Sequence, residues 1–183
     1  MSTSNGAPRR VGVIPFDRDL VADYLDRSAI TYQRDSDGDI VIQFAPHDVH
    51  NYQLTTLLMA QGVNGEIFGA RSMSNVRIAE DFLTAAIALC NNWNMNNVMP
   101  TAFVVGEASE EVIQGEIVLQ NHWPLSAGVT QPIIDEFASN FLGASHAFWE
   151  WFATEGVAAM NTRSDADADG QDKALEAEIR TDT

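Results

Sequence analysis

The sequence predicts an α+β domain, an antiparallel sheet backed by helices in the order α-β-β-β-β-α-β-β-α. Three observations carry that reading. Several segments alternate apolar and polar residues with a period of two and are joined by short turns, which makes an antiparallel meander. Three other segments repeat apolar residues every three or four positions, the spacing of a helix that lies on a sheet. From about Gly156 the composition turns acidic and loses any sustained apolar face. The chain therefore divides into a flexible N-terminus at 1–14, a folded domain at 15–153 and an acidic tail at 154–183 that is expected to be disordered.

The first helix is expected from Asp17, a good N-cap placed just after Pro15-Phe16. Leu20, Val21, Tyr24 and Leu25 share one face, and Asp23, Asp26 and Arg27 take the other. Strands follow at Thr31–Asp35 and Asp39–Phe44 around Ser36-Asp37-Gly38, where glycine supplies the positive φ of a tight hairpin turn. Tyr52, Leu54, Thr56 and Leu58 alternate again, and Gly62-Val63-Asn64-Gly65 turns the chain into a weaker strand at Glu66–Ala70.

A second helix is expected from Asn75 to Trp93, with Ile78, Phe82, Ala86, Leu89 and Trp93 on its apolar stripe. Thr101–Val105 then pairs with Val112–Asn121 through a turn at Gly106–Ser109. In the later strand Ile113, Ile117 and Leu119 point one way, and Val118 breaks the alternation. The last helix starts near Thr130, with Pro132 in its first turn. It carries Ile133, Phe137 and Phe141 beside Ile134, Ala138 and Leu142.

The formal net charge of −16 repels phosphate backbones and anionic lipid, so the sequence excludes nucleic acid and membrane surfaces as partners. Cationic or neutral polypeptides suit it better. No stretch approaches the ~20 apolar residues of a membrane span, and the small, polar segment Met1–Arg10 has no hydrophobic core of a signal peptide. A cytoplasmic protein is the expectation. Cys90, the single cysteine, sits in the apolar helix, where a buried thiol is inert.

Candidate sites are few. Asn91, Asn92, Trp93 and Asn94, followed by Pro100, mark a joint between a core helix and a strand. Asparagine side chains there satisfy backbone groups at the helix end, so the first use of Asn91, Trp93, Asn94 and Pro100 is structural. Asp165, Asp167, Asp169, Gly170 and Glu176 match the spacing of a calcium loop. Asp172 stands where such loops carry an apolar residue, which weighs against a metal. Asp35, Asp37 and Asp39 are explained by a hairpin. His47, Asp48 and His50 lack a third ligand nearby, and Ser126, Ser139 and Ser145 have no acid–base context. No catalytic residue, metal site or cofactor is expected.

The aromatic cluster Phe148, Trp149, Trp151 and Phe152 is more suggestive. Residues two apart on a helix point roughly 200° away from each other. Trp149 and Trp151 should therefore not share one buried face, which makes Phe148, Trp151 and Phe152 a candidate protein interface.

Asn91-Asn92-Trp93-Asn94, Pro100-Thr101-Ala102-Phe103-Val104 and Gly115-Glu116-Ile117-Val118-Leu119 together resemble the YbjN family of bacterial sensory transduction regulators. The final helix, from Gly128-Val129-Thr130 to Phe148 and Trp149, fits the same pattern. The resemblance covers Pro15 to Ala153. It implies a fold similar to the type III secretion chaperones, often paired as a homodimer, that binds polypeptides and is not an enzyme. One departure is the uncharged Asn97-Val98-Met99-Pro100, where the family often carries a basic residue. The expectation is a non-catalytic protein-binding domain with a chaperone-like or regulatory role, engaging a polypeptide through apolar surface on the sheet or the last helix. The alternative is a ligand- or calcium-responsive sensory regulator, and a hydrolase comes last.

Overall fold

The computed structural model describes residues 12–46, 52–108 and 113–158. Among them, an antiparallel seven-stranded sheet carries three α-helices on one face. Helix α1 (Arg18–Arg27) opens on Asp17, whose side chain accepts the Asp19 N–H. Strands β1 (Gln33–Arg34), β2 (Ile40–Phe44), β3 (Leu54–Gln61) and β4 (Ile67–Ser74) form the meander. Gly38 holds φ at +80° in the first turn, and the Asp35 carboxylate accepts the N–H groups of Asp37 and Asp39 at 2.9 Å. That carboxylate is occupied with its own backbone.

Several boundaries differ from the expectation, the first strand shrinking to Gln33–Arg34 and the last running on to Pro124. Strand β4 runs four residues beyond Ala70, because its inward positions past Ala70 are Ser72 and Ser74, small polar residues that hide the alternation. The expected long middle helix begins later, at Leu83, and runs to Asn96 as α2. Ile78 belongs instead to strand β5 (Ile78–Ala79), which pairs with Gly115 and Gln114 where β4 has left the edge of β7. A 3₁₀ turn at Glu80–Phe82 leads into α2. Strand β6 (Thr101–Ala108) and β7 (Ile113–Pro124) pair with Gly106 opposite Gly115, so Gly106 lies inside the ladder and not in the turn. A Cβ on Gly115 would meet Leu83 Cδ2 at 2.5 Å, which is why glycine lets the start of α2 lie close on the sheet.

Helix α3 (Gln131–Trp151) starts with proline in its first turn, as expected. Its buried stripe is Ile134, Ala138, Phe141, Ser145 and Phe148, continued by Phe152 in a wider π-helical turn (Phe152–Gly156), while Ile133 lies exposed. The helical backbone continues to Ala158 rather than stopping at Ala153. Gly156 packs against Phe152 and Leu89, and Val157 lies on the core. The remainder of the acidic tail, with the calcium-loop pattern, lies outside the described residues, as do His47, Asp48 and His50.

Among the described residues, all three α-helices pack on the same face. One apolar cluster joins α1 and the first half of α3 to Ile40, Ile42, Leu58, Phe68 and Ala70. The other joins α2 and the aromatic end of α3 to Leu54, Ala102, Ile117 and Leu119. Between them lie the buried hydroxyls of Thr56, Ser72 and Ser145. Arg27 grips Asp135 with two bonds of 2.9 and 2.8 Å, tying α1 to α3. Chiefly through that bond, the Asp135 carboxyl is held below its ordinary range.

Candidate functional site

The Asn-Trp-Asn segment is built into the fold as a joint. Trp93 points into the core and donates its indole N–H to the Pro100 carbonyl at 3.0 Å. Asn94 donates to the Ala102 carbonyl and accepts the Ala102 N–H, both at 2.8 Å, so one side chain mimics a strand and pins β6 beside α2. Asn97 caps the helix by donating its side-chain amide to the Trp93 carbonyl at 3.0 Å. Asn91 is exposed on the outer side of α2. Cys90, one residue before it, is buried, and that burial pushes its thiol up to about 11.

The aromatic end of α3 is not the surface that helical geometry suggested. Phe148 and Phe152 are 0% and 1% exposed and Trp149 is 0% exposed. Trp149 faces the sheet, with its indole nitrogen 3.4 Å from Ser72 Oγ. Trp151 faces the other way, and there it meets Trp93 of α2 at 5.5 Å and Phe148 at 5.7 Å between ring centroids. A helix wedged between a sheet and a neighbouring helix has two buried sides, so tryptophans two apart both find cover. Phe148 and Phe152 thus offer no surface to a partner in this fold, and Trp151 is only half-exposed.

Among the described residues, no group of three potential metal ligands comes together. An open cleft of about 420 Å³ lies beside the Leu125–Gly128 turn, lined by Val13, Ile14, Phe16 and Leu125. Its one titratable lining side chain, Glu66, accepts the Asn64 N–H at 2.8 Å. A lone, already bonded carboxylate supplies no acid–base pair.

Sequence reasoning allowed for apolar surface on the sheet but named neither its residues nor its face; it is the face away from the helices. Leu57, Met59, Ile67, Met73, Phe103 and Val118 all point away from the helices, and none belongs to either core cluster. Five of them are half-buried by one another across the strands; Val118, between Met73 and Phe103, is 2% exposed. No described helix lies over them. At the centre stands Arg71, flanked by Leu57 on β3 and Gln120 on β7. A signal was present in the sequence: β3 carries apolar residues on both parities, and Val118 broke the alternation of β7.

The family profile described as "Putative bacterial sensory transduction regulator", YbjN, matches residues 17–154. The chain belongs to the YbjN family. A crystal structure of YbjN from E. coli, described as "a putative transcription regulator", has the same fold, with a TM-score of 0.52 at 13% identity. The match covers 71% of this chain and 86% of that one. No curated protein matches the chain. The YbjN description names a class of regulators rather than of enzymes. Among the described residues, no helix is long and apolar enough to cross a membrane.

Proposed function

We propose that this YbjN-family chain is a non-catalytic regulator that acts by binding a polypeptide on the helix-free face of its sheet. The carrying observation is that face itself: contiguous half-buried apolar side chains on β3, β4 and β6, packed around the buried Val118 of β7, that no described helix covers. Contiguous apolar surface of this kind, rimmed by polar residues, marks interaction sites. The net charge of −16 keeps the rest of the molecule soluble and discourages anionic partners elsewhere on it. Cytoplasmic residence, pairing as a homodimer and a chaperone-like mode of action belong to the same proposal.

The test is site-specific photo-cross-linking of the full chain in cells, with the reactive group placed at Leu57 on the sheet or at Ile87 or Ile133 on the helices. A discrete polypeptide adduct from Leu57 is expected, with little from the helical positions. Absence of adducts at all three positions would sink the proposal. Light scattering on the purified chain reads the homodimer directly, and a monomer mass at high concentration removes that part.

A further inference from the structure

We infer that Arg71 is the reading residue of the open sheet face, and that its ligand is a polypeptide segment presenting one aspartate or glutamate between apolar side chains. This rests on the polypeptide-binding reading and adds the chemistry of the partner.

The chain has 26 acidic against 10 basic residues, so arginines find carboxylates easily. Arg18 pairs with Asp39, Arg27 with Asp135, Arg34 with Asp19 and Arg77 with Glu116. Arg71 is the exception among the described residues. Its one protein hydrogen bond there runs from a terminal nitrogen to Gln120 Oε1 at 3.3 Å. Its Nε is buried and has no partner. A guanidinium presents a rigid fork of donors that matches a carboxylate with two parallel bonds. Around it lie Leu57, Met59, Met73 and Val118, apolar neighbours that strengthen an ionic bond once a ligand excludes water.

Charge complementarity selects the occupant. A nucleic acid or lipid surface meets the repulsion of the whole molecule. A second copy stacked face to face about a two-fold axis would bring one Arg71 towards the other. Glu116, a carboxylate of this face, is already held by Arg77. An acidic residue in an otherwise apolar segment satisfies both the fork and its surroundings.

Fluorescence anisotropy on the full chain, with three synthetic peptides identical but for a central Glu, Gln or Lys among valines and threonines, tests this. The Glu peptide is expected to bind at least about tenfold tighter than the Gln peptide, the usual size of a charged hydrogen bond, with Lys weakest. Arg71→Glu should invert the order of Glu and Lys, and Arg71→Lys should keep the order with a smaller gap. The wild-type ranking decides even where a variant folds poorly. Equal binding of the Glu and Gln peptides, no binding of any of them, or a Glu preference that survives in Arg71→Glu overturns the assignment. If Leu57 still yields polypeptide adducts in that event, the broader reading stands and only the role of Arg71 falls.

Discussion

The two faces of this sheet use the same strands and the same alternation, yet they end in different states. The inner face meets three helices and closes over Phe141, Phe148, Trp149 and Phe152, all at 0–1% exposure. The outer face carries Leu57, Met59, Met73 and Phe103 at half burial, with an arginine carrying no carboxylate partner among the described residues at its centre. The difference teaches that apolar content alone does not make a core. A core needs a second layer to exclude water, whereas apolar strands without one make a surface that a partner can complete.

The contrast is most easily broken by truncation. Trp149→Ala should cost about 3–5 kcal/mol in chemical denaturation, the range for a large aromatic lost from a packed core. Leu57→Ser on the outer face, where the side chain is only half-buried, should cost about 1 kcal/mol. Equal losses would mean that the outer face is also sealed. Asn94→Ala removes both bonds to the Ala102 backbone and should cost about 1–3 kcal/mol, since buried backbone groups are left unpaired. Asn94→Asp keeps the acceptor and should recover part of that loss.

Smaller effects follow from the titrating groups of the covered side. Burial raises the Cys90 thiol from 9.0 to about 11. Its contribution to stability is therefore complete below about 9 and is lost as pH rises towards about 11. A thiol reagent at neutral pH should label the unfolded chain quickly and the native chain hardly at all. Asp135 runs the other way: its folded value lies below the ordinary one, so its stabilising pair with Arg27 is present above roughly pH 4 and fades as pH falls through the folded value. Asp135→Asn should lower the melting temperature at pH 7 by less than Asn94→Ala does. The loss caused by Asp135→Asn should vanish in acid, where the native carboxyl is protonated as well.

Much of this arrangement was legible in the residues. Asp17, Gly38 and Pro132 act locally, through a cap, a positive φ and a fixed φ, so their elements were readable without knowing the fold. The joint was readable too, because Trp93 and Asn94 sit at a helix end where polar groups need partners. Ile78 was not. Its spacing from Phe82 fits a helix, and only the vacant edge of β7 beside Gly115 drew it into a strand. Likewise, Ser72 and Ser74 read as polar, and only their position beneath Trp149 and α3 shows that they face inward.

Sequence by itself determined the class of the domain, its family and the local devices that start and stop its elements, because periodicity and capping depend on neighbours a few positions apart. Tertiary structure decided which apolar residues are core and which are surface. Trp151 is sheltered by a helix nearly sixty residues earlier in the chain, and Leu57 is only half-buried because the described helices all chose the opposite face. Burial is a property of what lies across from a side chain, and that cannot be seen along the chain.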